Sequence, residues 1–422
     1  MTDTASLPDL LHTRKTMIFE HAASLLTLLF AVSVFVWKPG IYATSGAIIA
    51  YLLVRSAVDV QYRQLLWSNS ITKVTLAMFA LGLVTAAIGA QQLSDWTWMA
   101  RKTMFLPVII FFAVALSRET NRKLALFGLI TCFWIASILT LWEYNWQFVF
   151  GGRMQGTWPQ GTWDNLLGIF VTFLVLFYRW TSSALIYRSI YWVTLLMAVL
   201  MLLLAGGRGP WLATVASVGI YLIVFRPNRK VLLAGLAGII VATIAATTLF
   251  ENRTEALIDR IQSIGATSQE QDGSNWVRLQ VWHIGATHFE HILKTDPVAG
   301  LFGSGAKSYN PKQIEFFETM PYSPEDRALL QSYGYPSGDP HNTYIDSALR
   351  NGLVWTVAIF VYLIWLCTQF KIRQTFARAE PLVLLMYLCI MAMFYTVLPH
   401  FMSFFFALFV MMLKLGERPS ET

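Results

Sequence analysis

The sequence predicts an all-α polytopic membrane protein with about 12 transmembrane helices and one large polar loop, and three observations carry that expectation. The composition is 56% hydrophobic with only 13% of residues charged, outside the range of a soluble domain. Apolar runs of spanning length recur along the chain, and basic residues collect in short clusters between them. That clustering follows the positive-inside rule. It also accounts for the formal net charge of +7, so the basic balance points to membrane orientation and not to a nucleic-acid partner.

Taken in order, Asp3, Asp9, Arg14 and Lys15 precede a first run at 17–37. No small-residue cleavage site accompanies it, so a retained span is expected and not a signal peptide. Further runs lie at 41–55, 71–90, 102–116, 122–142, 163–178, 188–205, 210–226 and 230–250, then at 342–368, 381–397 and 399–415. With a cytoplasmic N-terminus, clusters such as Arg118, Arg122 and Lys123 or Arg226, Arg229 and Lys230 fall inside. The short outer loops receive only Lys38, Arg101, Lys102, Arg153 and Arg208. Both termini are therefore expected in the cytoplasm. Cys132, Cys367 and Cys389 all lie within apolar runs, which argues for packing and against a disulfide framework or a cysteine metal site.

This division predicts spans 1–9 over residues 1–250, an outer loop over 251–341, and spans 10–12 with a tail over 342–422. The loop is long enough to carry structure of its own. Residues 251–264 and 275–294 read as amphipathic helices, the second with Trp276, Leu279, Trp282 and His283 at helical spacing. Gly-rich chain is expected at 297–309, then one short helix and a loop holding Tyr333-Gly334-Tyr335-Pro336. A smaller outer loop, 146–164, is rich in Gly, Trp and Gln. Its composition suits either an interfacial anchor or a surface that stacks on sugars.

Gly206-Gly207-Arg208-Gly209-Pro210 reads as a tight outer turn with Pro210 beginning the next helix. Glycines, free helix N–H groups and a guanidinium together describe an anion site, most naturally for phosphate. Ser274, Arg278 and Trp282 are spaced four apart and share one helix face, which presents a second guanidinium or is simply solvated. Asp339 is expected as an N-cap with Pro340 at the first helical position. His341 then falls in the first turn, where the positive dipole end disfavours imidazolium and leaves a base, though a histidine at a membrane boundary also fits the position. Asp346 and Arg350, four apart, are expected to form an intrahelical ion pair. His400, after Pro399, is a further candidate for the same polar region.

Familiar nucleotide and metal motifs are missing: no Walker loop, no Gly-x-Gly-x-x-Gly after a strand, no His-Glu-x-x-His. The nearest approach to Asp-x-Asp is Glu270-x-Asp272. A metal-dependent sugar-nucleotide transferase is therefore not expected, and no cofactor is.

Gly207-Arg208-Gly209, Arg278 with Trp282, and His341-Asn342 followed nine residues later by Gly352 resemble the bacterial O-antigen ligase family. That family shares a domain with O-antigen polymerases and bacterial O-linked oligosaccharyltransferases. Trp355 departs from the ligase pattern, which usually has a small residue or Tyr there. The resemblance implies a GT-C-type architecture and transfer of a glycan from undecaprenyl diphosphate to lipid A-core, at the periplasmic face of the inner membrane. Metal and nucleotide are not needed, and membrane lipids surround the site. On this resemblance His341 is the catalytic base and Arg208 and Arg278 bind the diphosphate. Asn342, Gly207, Gly209, Trp282 and Asp346 are supporting positions. An O-antigen polymerase is the nearer alternative. A lipid-linked oligosaccharide flippase is the more distant one, disfavoured because the suggestive charges lie at the outer surface and no repeat is present.

Overall fold

The computed structural model describes residues 7–90, 92–103, 105–147, 153–178, 184–224, 273–305, 308–336, 340–369, 380–397 and 399–416. All regular structure among them is helical. The first group comprises α1 (Leu7–Val36), α2 (Lys38–Val58), α3 (Val60–Ser68), α4 (Ser70–Gly89), α5 (Leu93–Thr103) and α6 (Phe105–Ala115). Next come α7 (Glu119–Glu143), α8 (Gln160–Phe177), α9 (Leu185–Ala205) and α10 (Arg208–Val224). The polar region holds α11 (Gly273–Thr295), α12 (Pro297–Phe302), α13 (Tyr309–Thr319) and α14 (Pro324–Ser332). The last three are α15 (Thr343–Gln369), α16 (Glu380–Phe394) and α17 (Pro399–Gly416).

Among the described residues eight helices are long and apolar enough to cross a membrane, and three shorter apolar helices accompany them. They account for every expected run except 230–250, which lies outside the described residues together with the helix expected at 251–264. The protein is an all-α, multi-pass membrane protein. Large apolar side chains point outward on most spans, among them Leu53, Phe127, Leu196, Val215 and Ile364, as hydrocarbon-facing helices require. Inside, Phe35 makes edge contacts with Phe133, Trp163, Phe170 and Phe404, joining α1, α7, α8 and α17.

Several local features differ from the sequence expectation. The short helix α3 is one of them; Asp59 caps it by accepting from the Tyr62 amide. The run at 102–116 is the apolar helix α6 preceded by the amphipathic α5. The aromatic residues of the 146–164 loop are partly structural, because Trp158 and Trp163 are buried and Trp158 Nε1 donates to the Val34 carbonyl at 2.9 Å. Within the stretch expected as Gly-rich chain, Asp296 accepts from the Ala299 amide and Pro297 occupies the first turn. A capping carboxylate and a pre-set proline φ suffice to start α12 there. The fully buried apolar side chains Val277, Val281 and Ile284 of α11 pack with Phe317, Leu330 and Tyr335; of the expected Trp276, Leu279, Trp282 and His283 set, Trp276 packs partly buried against them and Leu279 is exposed. A second cluster, Ile292, Ala299, Tyr309 and Leu349, ties these polar-region helices to α15. The three cysteines are free and sit among packed helices.

Candidate active site

α9 ends at Gly206, whose left-handed φ of 74° stops the helix. The chain then passes so close to α8 that a Cβ on Gly207 would lie 2.3 Å from Asp164 Oδ2. α10 begins at Arg208, two residues before the expected Pro210, so the guanidinium is carried by the helix's first residue. Arg208 is buried, and its Nη2 donates to Ser274 Oγ at 2.5 Å. Gly209 fits against Tyr395 and Phe394, with its ideal Cβ 2.8 Å from the tyrosine ring.

One turn beyond Ser274 on α11 stands Arg278, whose Cζ lies 5.9 Å from the Tyr395 ring centre. Trp282, one further turn on, meets Phe394 with ring centres 6.1 Å apart. The expected Ser274, Arg278 and Trp282 face is thus real and packs on the start of α10 and the end of α16.

His341 is not in the first turn of a helix. Asn342 Oδ1 accepts from the amides of Tyr344 and Ile345 at 3.0 and 3.2 Å, so Asn342 is the N-cap and the helix starts at Thr343. Asp339 lies outside the described residues. His341 itself has φ of 48°, which breaks helical continuity one residue before the cap, and it is exposed. Thr343, two residues on, fixes its position: the Thr343 hydroxyl Oγ1 donates to the Tyr395 carbonyl at 2.6 Å and accepts from the Val397 amide at 2.9 Å.

Asp346 and Arg350 form the expected ion pair at 2.6 Å, with both side chains nearly buried. Arg350 also donates to Asn310 Oδ1 at 3.0 Å and lies 5.1 Å over the Tyr309 ring. The pair therefore braces α15 against α13.

Tyr395 is the residue that sequence reading missed. It lies against Gly161 and Gly209, has the Arg278 guanidinium 5.9 Å over its ring, and anchors Thr343 through its carbonyl. Arg153 and Asp164 both lie near enough to act on it electrostatically. Arg208 thus reaches α11 through Ser274, one turn from Arg278, while His341 sits two residues from Thr343, which the Tyr395 carbonyl anchors. A carboxylate at the start of an apolar run, Trp163-Asp164-Asn165, was the available signal for Asp164. Nothing local marks Tyr395. His400 falls in the first residues of α17.

α11 also carries a buried histidine. His288 stacks on Phe316 at 4.4 Å, and burial, then His291 and Lys312, push its pKa down to about 4 from 6.5. A lowered histidine pKa contributes stability that is complete above about pH 6.5 and lost as pH falls toward about 4. The full loss is on the order of 3 kcal/mol. Melting of the purified protein at about pH 7.5 and pH 5 is expected to show that fall in wild type and a shallower one in His288→Phe. Equal slopes in the two proteins would remove His288 as the cause.

The geometry defines a class: a multi-pass membrane protein in which Arg208, bonded to Ser274, and Arg278, set against Tyr395, stand where helix ends join a folded polar region. Residues 192–360 match the family model described as O-Antigen ligase. The similarity spans the stretch from α9 into α15. The matched stretch includes Arg208, Arg278, His341, Asn342 and Gly352. No curated protein matches the chain.

Proposed function

We propose that this chain is an O-antigen ligase. In this reading it transfers polysaccharide from undecaprenyl diphosphate to a sugar hydroxyl of lipid A-core at the periplasmic face of the inner membrane. Both termini are cytoplasmic, residues 1–250 and 342–422 form the membrane part, and 251–341 the periplasmic part. The observation that supports the reading is that Arg208 donates to Ser274, one helical turn from Arg278, while Arg278 lies over Tyr395, whose carbonyl holds Thr343 two residues after His341.

The acceptor hydroxyl attacks the anomeric carbon while His341 takes its proton. The bond from that carbon to the phosphate oxygen breaks, and undecaprenyl diphosphate leaves with the electron pair. Arg208 and Arg278 offset the charge that develops on it. Direct displacement inverts the anomeric centre. In this scheme the arginines supply the charge stabilisation and no metal is called on.

Arg208→Lys and Arg278→Lys are each expected to lower transfer at least about tenfold, because a lysine retains the charge without the planar fork that grips a diphosphate. Transfer at the wild-type rate in both variants would reduce the arginines to a general charge effect.

Lipopolysaccharide from cells lacking the protein tests the whole reading. A ligase predicts bare core, with long polymer held on undecaprenyl diphosphate, and restoration by the wild-type chain. Core carrying a single repeat would identify a polymerase instead.

A further inference from the structure

A cavity of about 250 Å³ opens between α1, α2, α3 and α6, at the other end of the helix bundle from Arg208. Trp158 and Thr157 bind the carbonyls of Val34 and Phe35 at the end of α1 nearest Asp164. Glu20, which lines the cavity, lies some 14 residues earlier on α1, about 20 Å away at 1.5 Å per residue. The cavity therefore belongs to the opposite membrane boundary.

Its polar wall is built around Arg55, whose side chain is only 13% exposed. The guanidinium lies 4.1 Å from the Tyr62 ring centre and donates to Tyr51 Oη at 2.5 Å. Its Nε has no hydrogen-bond partner among the described residues, since Asp59 Oδ2 stands 3.6 Å away. The Asp59 carboxylate is also engaged in capping α3 through Oδ1. Arg118, exposed at the rim, pairs with Glu20. The charged side chains lining the cavity are two guanidiniums and one carboxylate, and the Asp59 carboxylate pairs with Arg55 at 3.6 Å from outside the lining, short of a hydrogen bond to its Nε. Around it the same helices expose Ile18, Leu53 and Leu65, at 60%, 68% and 52%.

We propose that this cavity binds the phosphate group of an anionic phospholipid, with the acyl chains lying along the exposed apolar residues of α1 to α3. A buried guanidinium with an unbonded N–H is costly, and a phosphate oxygen supplies the strongest acceptor for it. A phosphate ion alone has no use for the apolar surround. The lipid site is distinct from the glycan-transfer site and does not depend on it.

Native mass spectrometry of the full-length protein, released from mixed micelles containing phosphatidylglycerol and phosphatidylcholine, tests the assignment. Wild type is expected to retain phosphatidylglycerol selectively, Arg55→Gln to retain at least about tenfold less, and millimolar inorganic phosphate not to displace it. Ala23→Leu fills the cavity without altering charge, and it is expected to lose the lipid as well while melting like wild type. His341→Ala is expected to keep it. Equal phosphatidylglycerol retention in wild type, Arg55→Gln and Ala23→Leu would overturn the proposal. Displacement by inorganic phosphate would overturn it too, in favour of a site for the free ion.

Discussion

His341→Ala is expected to abolish useful glycan transfer while the protein accumulates in the membrane at its normal level. A positioned general base is worth roughly 10² to 10⁴ in rate, and the surrounding structure does not rest on the imidazole. Asn342 supplies the helix cap and Thr343 the anchor to Tyr395, so both survive the substitution. One structural cost remains, because a φ of 48° disfavours alanine by about 1 kcal/mol. His341→Asn controls for it: asparagine accepts the left-handed conformation but offers no base near neutral pH. Both variants are expected to be inactive in transfer from a purified lipid-linked donor, with His341→Asn melting at the wild-type temperature. Activity above about 10% of wild type in either would place the proton acceptor elsewhere, since that loss is smaller than a general base supplies.

What the sequence reveals and hides divides by distance along the chain. The spans were legible because a bilayer demands runs of about 20 apolar residues. The Asp346–Arg350 pair and the Ser274, Arg278 and Trp282 face were legible because residues four apart must meet on a helix. The helix start at 343 was less so. Asp339 and Asn342 are both competent caps, and only the left-handed His341 backbone decides between them in favour of Asn342. The heart of the site was not legible at all. Asp164 lies against Gly207, and Tyr395 gathers α8, α10, α11 and α15. Such contacts join residues far apart in the chain, where periodicity carries no information. The charges that did attract attention, Arg208 and Arg278, stood out because arginines between apolar helices need a use.

Gly352→Ala is expected to damage the protein through its fold, although Gly352 lies in the same His-Asn-x9-Gly pattern as His341. Its φ and ψ of 82° and 165° interrupt α15, in a region of backbone space essentially reserved for glycine and costing another residue about 1–3 kcal/mol. Space is the second obstacle. A Cβ there would lie 2.3 Å from the Leu301 carbonyl oxygen and 2.4 Å from the Gly303 amide nitrogen, both backbone atoms at the end of α12 that no rotamer change can move. The contact is reciprocal, since a Cβ on Gly303 would meet the Arg350 carbonyl at 2.3 Å, and the Ser304 amide donates to the Leu349 carbonyl at 3.2 Å. Alanine must therefore push α12 off α15, loosening the Ile292, Ala299, Tyr309 and Leu349 cluster that seats the polar region on the membrane helices. Strain and lost packing together are expected to cost about 3–5 kcal/mol. The checks are a lowered melting temperature and increased proteolysis between residues 295 and 310, neither of which His341→Asn should show. A Gly352→Ala protein that melts like wild type yet fails to transfer glycan would instead put Gly352 in the chemistry.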